Sequence, residues 1–451
     1  MSVQVISRKD FIKNSSIMLA AGSSILASAQ SMAAEGKEIN ADQAPEAITA
    51  KNFTLKNVRL ETGFEYEGDE VVHTKTDLFT IQVSDGKIKA ILPNQANANA
   101  VDAKGLLMLP AFRDMHIHLD KTWYGLPWKA NSNKRRTVKD MIAHEQKIIP
   151  ELLKTSVPRT EKLIELLQSY GTNYARSHVN IDPTSGLDSL KHLQKALENK
   201  KDSFRVELVA FPQHGIYYTK SEELMKEAAK MDIDFIGGLD PYSIDGAIEK
   251  HMDFVVQLAL DHHKGIDIHL HESGESGLKT INYLIDKVTE NPVLKGKTFI
   301  SHSFALAGLD KGKTDEMAEK LGQAKVGIAS TVPFGRTIMP IPTLYKYGVD
   351  VLAGNDCIID WWNTFGSGSI LQKANVAAQL YGYRSEFDLS RILKLATHNI
   401  LPLDDRGNQS WPKAGDDANM VLVDASCSAE AVSRVSPVKS LIHQGNLVFM
   451  K

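Results

Sequence analysis

The sequence predicts an α/β fold, a (β/α)8 TIM-type barrel with a small β-sandwich domain formed from both chain ends. Eight apolar, β-branched runs alternate with helical stretches in the middle of the chain, which is the pattern of parallel strands joined by crossover helices. Segments of β character flank this middle part on both sides. A length of 451 residues accommodates one barrel and one such satellite domain.

The first 34 residues have the three parts of an export signal. Basic Arg8 and Lys9 precede an apolar run at 17–29, which small residues follow. The stretch around the basic pair resembles the twin-arginine export box, with lysine in place of the second arginine. We therefore expect export to the periplasm, or a cytoplasmic protein if the signal is not functional. A frayed amphipathic helix is the structural alternative, and residues 35–52 have the composition of a linker.

The small β domain is predicted from residues 53–109 and 403–451. Its first part contains short β-type runs, and Asp85-Gly86 between two of them predicts a hairpin. Its second part contains two further runs, at 419–424 and 438–450. We expect the two parts to form one domain.

The barrel is predicted from residues 110–402. Eight strand candidates, the number that closes a barrel, lie at or near this region, at 107–116, 174–179, 205–211, 235–239, 266–270, 298–302, 326–330 and 349–353. Helical segments fall in the gaps, as at 159–170, 244–263 and 277–289.

The composition restricts the class of partner. With 43% hydrophobic and 24% charged residues the chain can bury a sizeable core. A net charge of -3 gives no electrostatic reason to bind nucleic acid or an anionic membrane, and no stable membrane span is expected. Two cysteines, Cys357 and Cys427, cannot build a disulfide framework or a cysteine zinc cluster. Any metal must be bound by imidazole and carboxylate groups.

Metal-competent residues follow several of the predicted strands. His116 and His118 stand two apart in an extended segment, so their imidazoles face the same side. The fifth strand ends in HLHE at 269–272, the sixth in SHS at 301–303 and the eighth in GND at 354–356. Each motif alone is explained by a core histidine, a helix cap or a solvated charge. Their joint occurrence where barrel enzymes place active sites indicates one catalytic centre.

These motifs, with PAFRDMHIHLDK at 110–121, VAFPQHG at 209–215 and DIHLHE at 267–272, resemble the amidohydrolase superfamily, specifically its cytosine deaminase-like branch. The resemblance extends from about residue 53 to the C-terminus. It implies one divalent metal ion, Zn²⁺ or Fe²⁺, bound by His116, His118, His269 and Asp356. A single ion is expected because no lysine stands at a strand end where the two-metal members carry a carbamylated bridge.

The resemblance also implies a reaction, in which metal-activated water attacks a small cyclic amidine and ammonia leaves. Asp356 would act as ligand and base, Glu272 as the acid toward a ring nitrogen, and His302 as a hydrogen-bonding partner of the attacking oxygen. Gln213 matches the position that recognises the ring edge, and a capping glutamine is its structural alternative. Trp362 matches an aromatic residue near the ring.

The chain departs from this branch at two positions. Cys357 replaces a second aspartate that takes part in substrate recognition, and His271 replaces an acidic neighbour. The substrate class therefore stays open among pyrimidine-, triazine-, pterin- and creatinine-like rings. Lys121 is expected to pair with Asp120, with substrate binding as the alternative.

The sequence leaves two other activities open. The same site could hydrolyse an alkylamino substituent or a cyclic amide, and an exported barrel could bind a metal or ligand without turnover. Assembly into a homo-oligomer also stays open.

Overall fold

The computed structural model describes residues 51–97, 99–132, 134 and 137–451. The predicted export signal, residues 1–34, lies outside the described residues, as does the predicted linker up to residue 50. The described chain contains two eight-stranded sheets. Among its helices, none combines the length and the apolar character needed to cross a lipid bilayer.

The N-terminal part of the described chain forms strands of a small sheet. These strands are β1 (Phe53–Glu67), β2 (Glu70–Ser84), β3 (Lys87–Pro93), β4 (Val101–Asp102) and β5 (Leu107–Pro110). Between β2 and β3, Asp85 and Gly86 have φ angles of 52° and 74°, the left-handed values that a type I′ hairpin turn requires. The predicted hairpin is therefore confirmed.

Eight parallel strands form the second sheet, and neighbours in sequence are neighbours in the sheet. They are β6 (Phe112–Ile117), β7 (Thr172–Asn180), β8 (Arg205–Phe211), β9 (Phe235–Leu239), β10 (Gly265–Leu270), β11 (Thr298–His302), β12 (Val326–Ser330) and β13 (Val351–Ala353). This sheet and the small sheet confirm the predicted fold class. Every predicted strand region of the barrel contains a strand.

Helices follow the barrel strands and cover the outside of the sheet with apolar faces. They are α1 (Val138–Leu153), α2 (Ser156–Ser169), α3 (Asp188–Lys200), α4 (Glu222–Ala229), α5 (Ile248–Asp261), α6 (Gly274–Glu290), α7 (Lys311–Ala324), α8 (Ile341–Lys346), α9 (Ile370–Tyr381), α10 (Glu386–Ile392) and α11 (Lys394–Thr397). Helix α1 begins at a capping box, in which Thr137 Oγ1 accepts from the Asp140 amide and Asp140 Oδ2 accepts from the Thr137 amide.

The C-terminal part of the chain returns to the small sheet. It contains β14 (Met420–Val423), helix α12 (Ser428–Arg434), β15 (Val438–His443) and β16 (Asn446–Met450). Strand β14 lies between β5 and β15 and pairs antiparallel with both. The two chain ends therefore share one sheet, and their apolar side chains form a common core that includes Leu55, Met108 and Met420.

The first predicted barrel strand, 107–116, is wrong as a single element. Residues Leu107–Pro110 belong to the small sheet and Phe112–Ile117 to the barrel. Between them the Ala111 amide donates to the Asn419 carbonyl, and the next amide, of Phe112, donates to the Gly171 carbonyl. Strand β5 is fully buried and β6 is buried except at Arg113, and the apolar run extends without a break to Phe112, so it hides the change of sheet from a sequence reading.

The barrel closes between its first and last strands at the predicted metal ligands. The Asp356 amide donates to the His116 carbonyl at 2.8 Å, and the His118 amide donates to the Asp356 carbonyl at 3.1 Å. Gly354 lies against His116 so closely that a Cβ at this position would overlap the His116 backbone. The seam of the barrel and the candidate metal site therefore depend on the same backbone contacts.

Below that seam the barrel interior is filled. Arg176 on β7 pairs with Asp267 on β10 at 3.0 Å and with Glu207 at 2.8 Å. Its guanidinium lies between the rings of Phe235 and Phe299, 4.0 and 4.3 Å from their centroids. The buried cation is thus fully paired, and the barrel is a packed core that gives the site a rigid floor.

Candidate metal centre and active site

Four predicted ligands converge at the carboxyl ends of the barrel strands. His116 and His118 come from the end of β6, His269 from β10 and Asp356 from the loop after β13. One ligating atom from each lies within 4.8 Å of the others. Asp356 Oδ1 is 3.4 Å from His116 Nε2 and 3.3 Å from His118 Nε2, and His269 Nε2 is 3.3 Å from His118 Nε2. These four residues are called the candidate metal site below.

The chemistry of these donors fits a divalent cation. Burial lowers the pKa of His118 to about 4 and that of His269 well below its usual value, so both imidazoles are neutral. Burial raises the pKa of Asp356, but its contacts with the rings of His116 and His118 hold it well below its usual range. His116 Nε2 is buried without a hydrogen-bond partner among the described residues. Neutral imidazoles and an ionised carboxylate are the ligand states that Zn²⁺ or Fe²⁺ requires.

Neighbouring side chains orient the imidazoles. Ser301 Oγ donates to Asp267 Oδ1 at 2.6 Å, so it accepts from His116 Nδ1 at 2.9 Å. His118 Nδ1 donates to the His178 carbonyl at 3.1 Å. Each ring therefore carries its proton on Nδ1 and presents the Nε2 lone pair to the site.

A second group of potential ligands, His116, His178 and Asp267, lies deeper in the barrel. Asp267 is already occupied, because it accepts hydrogen bonds from Arg176 and Ser301. The outer group is therefore the better candidate for binding an ion.

His302 lies beside the candidate metal site. Its ring centroid is 4.9 Å from that of His116 and 5.0 Å from that of His269. Both of its ring nitrogens are buried and unpartnered in the described structure, and burial holds its pKa well below the usual value. The φ angles of His302 and Asp356 are 66° and 64°, left-handed values that are strained in non-glycine residues. The structure thus brings His302 to the predicted place, while its role stays a prediction.

Glu272 follows the β10 ligand by three residues. Its Oε1 accepts from the backbone amides of Tyr242 and Ser243 at 2.9 and 2.8 Å. Its Oε2 is buried and has no hydrogen-bond partner among the described residues. His271 is directed differently, because its Nδ1 contacts Asp240 Oδ2 at 2.9 Å. One carboxyl oxygen of Glu272 is fixed and the other remains available.

The predicted substrate-binding residues lie in buried surroundings. Gln213 Oε1 accepts a short hydrogen bond from Lys121 Nζ. Trp362 Nε1 donates to Glu145 Oε1 at 3.1 Å, and its ring centroid is 5.4 Å from Lys121 Nζ. Cys357 is buried, with Sγ 3.8 Å from Asp356 Oδ1. Gln213 and Trp362 both contact Lys121, and Cys357 lies beside the candidate metal site.

The predicted pairing of Lys121 with Asp120 is wrong. Asp120 accepts from the Asn180 amide at 3.0 Å, whereas Lys121 Nζ lies 3.7 Å from Glu145 Oε1. The chain bends after β6, so these adjacent side chains contact different elements.

Glu145 is a residue of the site that sequence reasoning missed. It accepts hydrogen bonds from His214 Nε2 and Trp362 Nε1, both at 3.1 Å, and pairs with Lys121. One signal was available in the sequence, because Glu145 occupies the buried face of α1 with Ile142 and Ile149. A carboxylate in an apolar helical stripe needs buried partners.

An α/β barrel with three imidazoles and a carboxylate at its mouth is a metal-binding architecture of hydrolytic enzymes. A model of the amidohydrolase family matches residues 99–449, and the chain belongs to this family. The chain is 51% identical over 407 residues to the uncharacterized protein YahJ of Escherichia coli K12, covering 89% of this chain and 88% of the relative.

Solved structures agree with this assignment. N-isopropylammelide isopropylaminohydrolase of Burkholderia multivorans superposes with a TM-score of 0.77 at 26% identity, covering 89% of this chain and 98% of that one. A 5-methylcytosine deaminase of Klebsiella pneumoniae superposes with a TM-score of 0.73 at 24% identity, covering 88% and 98%. The chain is thus a cytosine deaminase-like amidohydrolase in its fold, as the motifs predicted.

Proposed function

We propose that this protein, a metal-dependent hydrolase acting on carbon–nitrogen bonds, deaminates a small cyclic amidine and releases ammonia. The observation that carries the proposal is the joint geometry of the candidate metal site and Glu272. One ligand atom from each of four side chains lies within 4.8 Å of the others, and a carboxyl group with one unpartnered oxygen follows one of these ligands in the chain. A binding module without turnover has no need of such a group beside its ligand.

A divalent ion at the candidate metal site would lower the pKa of a water molecule toward neutrality and so supply the nucleophile that an amidine carbon requires. The residues of the chain supply the proton transfers. Glu272 cannot turn away, because two backbone amides hold its Oε1. Its free Oε2 is suited to carry a proton from the attacking oxygen to a ring nitrogen, and then a second proton to the leaving amine.

The buried surroundings of His269 favour proton transfer between the groups of the site over proton transfer to bulk water. The Phe211 ring stacks on His269 with centroids 4.0 Å apart, and both residues are buried. His302, neutral because it is buried, can donate to or accept from the attacking oxygen with either ring nitrogen. Overall one C–O bond forms, one C–N bond breaks and one water molecule is consumed.

A second candidate function is hydrolysis of an alkylamino substituent. It is favoured by the similarity to N-isopropylammelide isopropylaminohydrolase, which at 26% identity shares the same fold over 89% of this chain. The proton transfers would be the same, and only the leaving amine differs. Hydrolysis of a ring amide would open the ring instead.

The test is a product assay with protein reconstituted separately with Zn²⁺ and Fe²⁺. Amino-substituted pyrimidines, triazines, pterins and cyclic ureas are incubated with each form, and ammonia, alkylamine and ring-opened products are measured. We expect ammonia from at least one ring class, and none from the metal-free protein. Alkylamine alone would assign the second function. Release of no product from any class would refute the hydrolytic proposal.

We also propose that residues 1–34 direct export through the twin-arginine-like stretch. Fractionation of cells that express the full chain, compared with cells that express an Arg8→Ala variant, tests this. The same division of the protein between periplasm and cytoplasm for the full chain and for the variant would contradict export through this stretch.

A further inference from the structure

A cavity of about 450 Å³ lies where the small sheet meets the barrel. Its wall includes Pro110 and Ala111, where the chain passes from β5 to β6, and Asn419, which precedes β14. Arg113 and Asn173 line it from the amino-terminal parts of β6 and β7. The candidate metal site is at the carboxyl ends of the barrel strands, so this cavity, called the base cavity below, lies at the opposite end of the barrel.

Arg113 brings a positive charge to the base cavity without a counter-ion. Its side chain is half-buried, and its guanidinium lies 5.1 Å from the centroid of the Tyr174 ring. Among the described residues it has neither a hydrogen-bond acceptor nor an ion-pair partner. Burial lowers the pKa of this guanidinium, and the acidic groups nearby offset only part of the effect. A cation in such surroundings is stabilised when an anion binds to it.

The two carboxylates whose charges act on Arg113 are in contact with other cations. Glu207 pairs with Arg176 at 2.8 Å, and Asp417 pairs with Lys87 at 2.7 Å. Neither carboxylate is therefore a dedicated counter-ion of Arg113.

Other donors of the wall are also without acceptors. Trp411 is 7% exposed, and its indole N–H has no acceptor in the described part of the chain. The same is true of the Lys413 ammonium group and the Ser410 hydroxyl group. Asp416, an acidic residue of the wall, accepts from the Lys413 amide at 2.7 Å and so holds the turn on which both residues lie. The base cavity thus offers hydrogen-bond donors to a ligand.

The charges and the size of the base cavity restrict the ligand. Arg113 and Lys413 oppose Asp416 and Asp417, and Lys87 pairs with Asp417, so one positive charge is in excess. This excess suits a monoanion better than a dianion. The volume is within the range of small-molecule sites, roughly 300 to 1,000 Å³.

Apolar surface completes the wall. Ile400, Leu401 and the ring of Trp411 line the base cavity together with Pro110 and Ala111. A ligand that fills the cavity therefore needs an apolar body as well as its charge.

We propose that the base cavity is a second ligand site, which binds a small monocarboxylate with an apolar body. Arg113 receives the carboxylate, because a planar guanidinium donates two parallel hydrogen bonds to the two carboxylate oxygens. Trp411 and Lys413 supply further donors, and the apolar body lies against Ile400 and Leu401. This site is separate from the candidate metal site and does not depend on the proposed function.

The test is isothermal titration calorimetry of the metal-loaded full chain with benzoate, phenylacetate and hexanoate. We expect one molecule of at least one of these acids per chain, with a Kd on the order of 0.1 to 1 mM, as is usual for so few ligand atoms. The matching amide, benzamide in the case of benzoate, has the same shape but no charge and should bind at least about 10-fold more weakly. Inorganic phosphate, which lacks an apolar body, should also bind more weakly.

Variants assign the binding to Arg113. Arg113→Met keeps an apolar stem against Tyr174 but removes the guanidinium, so the affinity should fall about 10-fold or more. Arg113→Lys keeps the charge without the planar fork and should give an intermediate affinity. Trp411→Phe removes only the N–H, and the affinity should fall about threefold. Arg384→Met, which removes an exposed arginine outside the cavity, serves as control and keeps the wild-type affinity.

Four outcomes would overturn this proposal. They are no saturable binding of any of the three acids up to about 10 mM, equal binding of an acid and its amide, tighter binding of phosphate, and unchanged affinity in folded Arg113→Met. Circular dichroism checks that each variant is folded. A carboxylate that binds at the candidate metal site instead keeps its affinity in Arg113→Met, so it counts against the base cavity. None of these outcomes bears on the hydrolytic proposal.

Discussion

His214 lies 3.3 Å from Asp182 and 3.1 Å from Glu145, and Glu145 lies 3.7 Å from Lys121. These four buried residues are called the Glu145 cluster, and His214 provides a sharp test of its electrostatics. The pKa of this imidazole rises from 6.5 to about 9 in the folded protein, because Asp182 and Glu145 outweigh the effect of burial. At 1.36 kcal/mol for each pKa unit, that rise corresponds to about 3 kcal/mol of folding free energy. The full contribution is present below pH 6.5 and is lost as the pH rises through about 9.

The other members of the cluster keep their charges over this range. Burial raises the pKa of Glu145 and of Asp182, but contacts with Lys121 and His214 hold both below their usual values. Burial lowers the pKa of Lys121, but Glu145 and the neighbouring acidic groups outweigh it and raise it above its usual value. His214 is therefore the group in the cluster that titrates between about pH 6 and pH 10.

The measurement compares urea unfolding of the wild type and His214→Gln from about pH 6 to pH 10. Glutamine keeps a donor toward Glu145 but does not titrate. We expect the unfolding free energy of the wild type to fall by about 3 kcal/mol more than that of the variant across this range. The exposed His263, replaced by Asn, serves as control and leaves the pH dependence unchanged. Parallel curves for the wild type and His214→Gln would refute the charged imidazole.

Three further predictions concern the candidate metal site and its backbone. Asp356→Asn removes the only anionic ligand of the four, so affinity for the divalent ion should fall on the order of 100-fold, and unchanged metal content after dialysis against a chelator would contradict the site. Glu272→Gln should bind metal as the wild type does while amine release falls about 10²- to 10⁴-fold, and near-normal turnover would exclude Glu272 as the proton carrier. Gly354→Ala places a Cβ against the His116 backbone and should cost about 2 kcal/mol or more, whereas Gly308→Ala, in open space, should change stability by less than about 0.5 kcal/mol. Urea unfolding compares the two glycine variants, and equal stability would show that the seam tolerates a side chain.

The barrel strands were predictable because both of their faces are buried. Strands such as Gly265–Leu270 and Val326–Ser330 contain only buried residues, so they appear in the sequence as short apolar runs between helical patterns. The same property caused the error at 107–116, since a continuous apolar run does not show where the chain passes from one sheet to another.

The metal ligands were predictable for a local reason. His116 and His118 are two residues apart at a strand end, and the spacing alone places both rings on one face. The Glu145 cluster has no such local signal, because its members come from separate parts of the chain. Only the folded barrel brings α1 beside the loop after β8, so the contact of Glu145 with His214 could not be read from spacing. The partner of Lys121 was missed for the same reason.

The position of β14 between β5 and β15 has a consequence for synthesis of the protein. Strand β5 directly precedes the strand that carries the first two imidazoles, and it obtains its antiparallel neighbour only from residues 420–423. During translation the edge of β5 that pairs with β14 therefore stays unpaired until residues 420–423 have left the ribosome. A nascent chain stalled before residue 420 should therefore have an incomplete small sheet next to the strand that leads to His116 and His118.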